Sequence, residues 1–260
     1  MNTHPLDDRR IISNLFYPRA IKPGKSRVPN TTDGTIPITD DIVLGYRLYQ
    51  PANPTALVMY FHGNGEVASD HDRIAPLYFD LNAAFLIIDY RGYGWSTGSP
   101  LTSTLLTDGD YAMQALPHIL PAAIQTLPKF IMGRSLGSAP AVYLAHQYPD
   151  QFQGLIIESG FADMPSVFQR LGIPVDLSQL SHIPIANALR MEEINMPVLV
   201  IHGEQDSLLP IENGEKLYDS AACTQKTFVR IPGAGHNDLL FYGMDRYFGG
   251  IAQFMREAQK

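Results

Sequence analysis

The strongest indication of the fold is the sequence KFIMGRSLGSAPAVYLAHQY at residues 129–148. Its first four residues form a short hydrophobic run that predicts a strand, and residues 136–148 have the composition of a helix. Between them lies the pattern Gly-x-Ser-x-Gly, which is typical of a sharp, strained strand-to-helix turn that exposes a serine hydroxyl. We expect Pro140 to fall in the first helical turn, where proline is tolerated. Ser135 is therefore the candidate nucleophile.

Similar hydrophobic runs recur along the chain. They predict strands at 57–61, 84–89, 155–158, 198–201 and 226–231, and the segments between them predict helices at 105–116 and 212–222. Continuous apolar strands are typical of a mainly parallel sheet that is buried on both faces. The alternation of strand and helix predicts an α/β fold with helices on both faces of the sheet. Upstream, residues 42–49 are predicted to form an edge strand or hairpin, after a turn at Asp33-Gly34.

One interval breaks this alternation. Residues 160–195 are longer than a simple crossover requires, and Pro165, Pro174 and Pro184 divide them. We interpret the interval as a short lid insertion made of short helices, with Met164 and Phe168 in its core. The chain shows no internal repeat, low-complexity tract or linker, so residues 1–260 are predicted to form one domain.

Composition excludes several classes of function. The net charge is −7, from 19 basic and 26 acidic side chains, which gives nucleic-acid binding no electrostatic basis. The single cysteine, Cys223, cannot form an internal disulfide. No apolar run approaches the roughly 20 residues of a membrane span, and the first ten residues are polar. We therefore expect a cytoplasmic protein without an integral membrane segment, and the absence of dinucleotide and metalloprotease motifs predicts no cofactor and no metal.

A second Gly-x-Ser-x-Gly pattern is centred on Ser96 and competes with the first. It follows the segment Asp89-Tyr90-Arg91-Gly92-Tyr93 and precedes Pro100, which predicts a loop and no strand-to-helix turn. We therefore interpret Ser96 as a structural turn residue.

A serine hydroxyl needs a base, and the chain has eight histidines. His236 lies just after the last predicted strand, in Gly233-Ala234-Gly235-His236-Asn237-Asp238, where small residues allow a loop to place an imidazole over the sheet edge. His62 and His202 both precede a glycine at a strand end, where a role in shaping the backbone is favoured. His236 is therefore the candidate base.

The imidazole in turn needs a carboxylate that orients it. Asp206, in the polar segment that follows the strand at 198–201, is the preferred residue, and Glu204 in the same segment competes with it. Glu158, at the end of another strand, is a third possibility, and Asp163 ranks below it. The chain order Ser135, Asp206, His236 is the order expected for the serine hydrolases that carry this turn.

Acyl transfer also needs backbone N–H donors for the oxyanion. Leu136, directly after the nucleophile, is one candidate. The second should come from the loop after the strand at 57–61, where Asn64 is preferred over Gly65 and Gly63.

Together these segments resemble the α/β-hydrolase superfamily from about residue 42 to residue 254. They are most similar to a branch that includes serine-aminopeptidase-like esterases and depalmitoylating α/β-hydrolase-domain proteins. In that branch the Asp-Tyr-Arg-Gly-Tyr-Gly segment shapes a loop, so the resemblance also implies that Ser96 is not the nucleophile. The depalmitoylating members carry a cysteine-rich N-terminus, which this chain lacks.

The resemblance and the residues together predict a serine hydrolase of the carboxylesterase type, whose partner is a small-molecule ester. Thioester or amide cleavage would use the same residues. A non-catalytic ligand-binding protein with this fold is the alternative from another class. The sequence carries no indication of the acyl chain length or of the oligomeric state.

Overall fold

The computed structural model describes residues 5–173 and 185–260 and centres on a mainly parallel sheet. Its strands are β1 Thr31–Pro37, β2 Val43–Tyr49, β3 Ala56–Phe61, β4 Ala83–Ile88, β5 Lys129–Arg134, β6 Gly154–Glu158, β7 Val198–Gly203 and β8 Lys226–Ile231. They are arranged in the order β1-β2-β4-β3-β5-β6-β7-β8. All pairs from β4 to β8 are parallel, whereas β1 pairs with β2 and β2 with β4 in the antiparallel sense.

The central strands are buried on both faces because alternate side chains enter two separate cores. In β3, Leu57 and Met59 contribute to one apolar cluster, and Val58 and Tyr60 to the other. The predicted strands at 57–61, 84–89, 129–132, 155–158, 198–201 and 226–231 are confirmed, with ends that agree to within two residues.

Helices cover both faces of the sheet. They are α1 Arg9–Leu15, α2 Ala75–Phe79, α3 Thr104–Ile119, α4 Ala122–Gln125, α5 Ser138–Gln147, α6 Met164–Arg170, α7 Asn187–Met191, α8 Glu212–Ser220 and α9 Leu239–Glu257. Apolar residues of α3, α5 and α8 pack into one core, and those of α2 and α9 pack into the other. The helices predicted at 105–116, 136–148 and 212–222 are confirmed, and Pro140 lies in the first turn of α5. The N-terminal α1 and the C-terminal α9 are absent from the predictions.

The prediction of a turn at Asp33-Gly34 is wrong. Both residues lie inside β1, opposite Arg47 and Tyr46 of β2. The strand predicted at 42–49 is β2, which forms a hairpin with β1 and pairs with β4 on its other side, so β1, and not β2, lies at this edge of the sheet. Arg47 pairs with Asp33, and a Cβ at Gly34 would overlap the ring of Tyr46. A neighbouring aromatic ring and an ion pair thus accommodate two residues whose type usually indicates a turn.

The long interval at 160–195 contains α6 and α7 and leads from β6 to β7. Met164 and Phe168 of α6 are buried, and they belong to the same core as α5 rather than to a separate core of the insertion. Residues 174–184, which include Pro174 and Pro184, lie outside the described part of the chain. The interpretation of the interval as a lid therefore remains a prediction.

Candidate active site

Ser135 occupies a strained turn between β5 and α5. Its backbone φ of 50° lies in the left-handed region, which residues other than glycine rarely adopt. Gly133 and Gly137 allow this turn, because a Cβ at Gly133 would overlap the backbone of Gly137 and one at Gly137 would overlap the backbone of Phe61. The Ser138 hydroxyl donates to the Ser135 carbonyl oxygen over 2.7 Å and braces the turn. The hydroxyl of Ser135 is consequently held at the carboxyl edge of the sheet.

The structure brings His236 and Asp206 to this serine. His236 Nε2 lies 2.9 Å from Ser135 Oγ, and His236 Nδ1 lies 2.7 Å from Asp206 Oδ2. Because a carboxylate can only accept, Nδ1–H donates to Asp206, which leaves Nε2 free to accept from the serine hydroxyl. All three residues are less than 10% exposed, at 8% for Ser135, 9% for His236 and 5% for Asp206. The arrangement can activate a serine oxygen in a site that water reaches poorly.

Asp206 is held as an anion by its surroundings. Its Oδ1 accepts hydrogen bonds from the backbone N–H groups of Leu208 and Leu209 over 2.9 and 2.8 Å. His202 Nε2 lies 3.3 Å from the other carboxylate oxygen, which also accepts from His236. Burial by itself raises the pKa of Asp206, but the hydrogen bonds from His202 and His236 outweigh it and hold that pKa well below its usual value.

This depressed pKa predicts a pH dependence of stability. The unfolded Asp206, with an ordinary pKa of about 3.9, binds a proton at higher pH than the folded one. The stabilisation is thus complete above about pH 4 and is lost as pH falls towards the folded-state pKa. We expect urea unfolding between pH 6 and pH 2 to show a free energy of unfolding that falls less steeply with decreasing pH for Asp206→Asn than for the wild type. The two slopes should differ by at most about 1.4 kcal/mol per pH unit.

The control for this comparison is Glu204→Gln, which removes an exposed carboxylate from the same loop. Its curve is expected to run parallel to that of the wild type. A parallel curve for Asp206→Asn would contradict the prediction.

Close backbone packing brings the aspartate and histidine loops together. A Cβ at Gly203 would overlap the carbonyl oxygen of Ala234, and the Gln205 N–H donates to that same oxygen over 2.8 Å. Gly233 has a φ of 76°, and Asp238 accepts from the Gly235 N–H over 2.6 Å, which closes the loop that carries the histidine. The small residues at 233–235 therefore allow the two loops to meet.

The competing carboxylates are placed elsewhere. Glu204 is exposed, and Glu158 accepts from Arg134 Nε over 3.1 Å and from the Tyr247 hydroxyl over 2.7 Å. Asp163 caps α6 and forms an ion pair with Lys216. Of the four acids considered, Asp206 is the one that contacts His236 in the described structure.

Ser96 lies in a buried loop. Its hydroxyl donates to the Asp89 carbonyl oxygen over 3.0 Å and accepts from the Gly45 N–H over 2.8 Å. Both contacts join the loop to the sheet, so the geometry agrees with a structural role for this serine.

Asn64 and Leu136 line the same cavity as Ser135. The Asn64 side chain is fixed, because its Oδ1 accepts from the Tyr17 N–H and the Tyr93 hydroxyl while its Nδ2 donates to the Leu15 carbonyl oxygen. The Gly63 N–H already donates to Glu66 Oε2 over 2.9 Å, which makes it unavailable to a substrate.

A cavity of about 190 Å³ opens beside the serine. Most of its lining residues are apolar. They come from the N-terminal segment, the turn after β5, the loop after β6, α6 with its C-cap, and the loop after β7: Leu15, Tyr17, Leu136, Phe161, Met164, Val167, Leu171, Leu208 and Leu209. Arg170 is the charged residue among the described lining residues. The site therefore presents a serine hydroxyl at the end of an apolar chamber.

Sequence reasoning missed four residues that contribute to the site. Leu15 and Tyr17 reach the cavity from a terminus that shows only a weak helical signal, an aspartate cap followed by the spacing Ile11, Ile12, Leu15. His202 lies against Asp206, and Arg134 contacts the histidine loop. For the two latter residues the sequence carries no local signal.

Residues 5–173 and 185–260 contain no group of three or more histidine, cysteine, aspartate or glutamate side chains placed to hold a metal ion. Within the same ranges, no helix has the length and apolar character needed to cross a bilayer.

The profile of the family described as "Serine aminopeptidase, S33" matches residues 52–183 and 185–240. The chain is 30% identical to the protein bem46 of Schizosaccharomyces pombe over 94% of its own length and 85% of that protein. It is 28% identical to the alpha/beta hydrolase domain-containing protein 17B of Xenopus tropicalis over 79% of this chain and 68% of that protein.

Among solved structures, the fold is similar to that of the esterase Pf2001 of Pyrococcus furiosus. The TM-score is 0.75 at 15% identity, and the match covers 92% of this chain and 98% of that one. A similarity at this identity concerns the fold alone, and it confirms the predicted α/β-hydrolase fold.

Proposed function

Because the chain belongs to the serine aminopeptidase S33 family of α/β hydrolases, we propose that it is a serine hydrolase that cleaves carboxylic esters. The observation that carries this proposal is the continuous contact from Ser135 Oγ through the His236 ring to Asp206 at the end of an apolar cavity.

In the proposed reaction, Ser135 Oγ attacks the ester carbonyl carbon as His236 Nε2 takes the hydroxyl proton. Asp206 stabilises the imidazolium and fixes its orientation. The backbone N–H groups of Leu136 and Asn64 stabilise the oxyanion. His236 then gives its proton to the leaving alkoxide, and the alcohol departs to leave an acyl-enzyme.

Water then hydrolyses the acyl-enzyme, with His236 again acting first as base and then as acid. His236 takes a proton from water as the oxygen attacks the acyl carbon, and it returns that proton to Ser135 Oγ as the carboxylic acid leaves.

The lining of the cavity favours a substrate with an apolar acyl group over one with a free amino terminus. An aminopeptidase needs a carboxylate or a comparable acceptor for the substrate's ammonium group, and the described lining residues of this cavity include no aspartate or glutamate. The charged lining residue, Arg170, has the same sign as an ammonium group. Ester and thioester substrates are therefore favoured over peptides with a free amino terminus.

A series of p-nitrophenyl esters tests the proposal. A cavity of about 190 Å³ holds on the order of six groups of the size of a water molecule. We expect kcat/KM to rise by up to about fourfold for each methylene, as about 0.8 kcal/mol of burial is added, until roughly the hexanoate. Longer chains should bring no further gain.

Thioesters with the same acyl groups and an L-aminoacyl p-nitroanilide complete the series. Ser135→Ala supplies the background rate in every assay. Faster cleavage of the anilide than of the esters would overturn the ester proposal in favour of an aminopeptidase. Binding of the esters without turnover or an acylation burst would favour the non-catalytic alternative.

A further inference from the structure

The side chain of Arg134, the residue directly before the nucleophile, joins three separate segments of the chain. Its Nη2 donates to the His236 carbonyl oxygen over 2.9 Å and to Asn237 Oδ1 over 2.8 Å. Its Nη1 donates to Glu66 Oε1, and its Nε donates to Glu158 Oε1 over 3.1 Å. The guanidinium is thus almost fully engaged, and the side chain is only 11% exposed.

One branch of this network reaches the loop that follows β3. Glu66 accepts from Arg134 through one carboxylate oxygen and from the Gly63 N–H through the other. Gly63 directly precedes Asn64, whose N–H is our proposed second oxyanion donor. Arg134 therefore fixes, through Glu66, the backbone from which that donor projects.

A second branch reaches the loop that carries the base. The contacts to His236 and Asn237 hold the backbone of the histidine itself. The anchor for both branches is Glu158, at the end of β6, whose other carboxylate oxygen accepts from the Tyr247 hydroxyl of α9 over 2.7 Å. The guanidinium plane is thereby set by an interior strand and a long helix.

We propose, on the basis of the function proposed above, that Arg134 is a positioning residue that holds the oxyanion loop and the histidine loop in register with Ser135. A planar guanidinium with five fixed donors can span all these acceptors, whereas a lysine ammonium with three donors on a flexible stem cannot. A misplacement of about 1 Å between reacting groups can cost on the order of 100-fold in rate. The contribution of Arg134 is thus expected in kcat and not in substrate binding.

The test compares Arg134→Lys with Arg47→Lys. Arg47 is 1% exposed and, like Arg134, pairs with two carboxylates and a backbone carbonyl oxygen: Asp33, Asp72 and Gly24. Both substitutions should lower the melting temperature. For p-nitrophenyl hexanoate, Arg134→Lys is expected to lower kcat about 100-fold with KM within about twofold. Arg47→Lys is expected to keep the wild-type kcat.

Two further variants separate the branches. Asn237→Ala changes an exposed residue, so its stability should remain within about 0.5 kcal/mol of the wild type, while kcat falls several-fold. Glu66→Gln places an amide where Arg134 needs a carboxylate, so kcat of this single variant should also fall several-fold. Where Arg134→Lys folds, the two effects on kcat should be less than additive because both act on one contact. These two variants decide the question if Arg134→Lys does not fold.

The inference would be overturned by any one of three results. These are a wild-type kcat in Arg134→Lys, a loss of kcat in Arg47→Lys equal to that in Arg134→Lys, and a wild-type kcat in both Asn237→Ala and Glu66→Gln. A wild-type protein without ester turnover that depends on Ser135 would overturn the proposed function instead.

Discussion

Ser135→Ala is expected to abolish ester hydrolysis, with kcat reduced on the order of 10⁶-fold. Removal of a serine nucleophile leaves only the catalysis that binding and oxyanion stabilisation supply. In this protein the loss should be complete at the acylation step, because His236 Nε2 then has no hydroxyl within 2.9 Å from which to take a proton. The decrease should appear in kcat, since the apolar cavity that is proposed to bind the acyl group is unchanged.

Two measurements check this result. Steady-state kinetics with p-nitrophenyl hexanoate give kcat, and intact mass after treatment with a fluorophosphonate counts the reactive serines. The wild type should gain one adduct and Ser135→Ala none.

Ser96→Ala is the matched control, since Ser96 stands at the centre of the second Gly-x-Ser-x-Gly pattern and is, like Ser135, 8% exposed. Its hydroxyl contacts the Asp89 carbonyl oxygen and the Gly45 N–H, so the substitution should lower stability by about 1–3 kcal/mol while labelling persists. An adduct on Ser135→Ala, or the loss of the adduct in Ser96→Ala, would show that the nucleophile is assigned to the wrong serine.

Gly137→Ala is expected to destabilise the protein by about 3 kcal/mol or more. The added Cβ would overlap the Phe61 carbonyl oxygen and lie 2.9 Å from that of His62. These neighbours are backbone atoms at the end of a central strand, so no side chain can rotate away, and overpacking of this kind costs about 1–3 kcal/mol or more. Because these atoms lead into the Asn64 loop, the shift should also separate the two proposed oxyanion donors and lower kcat.

The measurement is the melting temperature, which should fall by roughly 6–12 °C for a chain of this size. Gly249→Ala is the matched control: it makes the same chemical change inside α9, where a Cβ meets nothing within 4 Å. That substitution should raise stability by about 0.5–1 kcal/mol through helix propensity. A melting temperature of Gly137→Ala at or above that of the wild type would contradict the close contact described here.

The strands were predictable because their signal is local. A run such as Leu57 to Phe61 is hydrophobic at every position, which is typical of a strand covered on both faces, and its neighbours in the chain share the pattern. The strained turn at Ser135 was predictable for a similar reason, since Gly133, Ser135 and Gly137 lie within five residues and each has a local steric role.

Which of the candidate carboxylates contacts His236 depends on burial, and the sequence pattern does not predict that burial. Asp206 and Glu204 are two residues apart in one polar segment, yet the first is 5% exposed and contacts His236 while the second is exposed. The turn expected at Asp33-Gly34 failed because Tyr46 and Arg47, on the neighbouring strand, accommodate a glycine and an aspartate in β1.

The parallel sheet and the turn that carries Ser135 beside a helix could be read from the amino-acid order, because hydrophobic periodicity and the sterics of glycine act over a few residues. The folded chain alone shows that Asp206 faces His236, that Leu15 and Tyr17 line the cavity, and that Arg134 joins Glu66 to the histidine loop. Such contacts join residues up to about a hundred positions apart. They depend on how the loops pack at the sheet edge, and no local pattern specifies that packing.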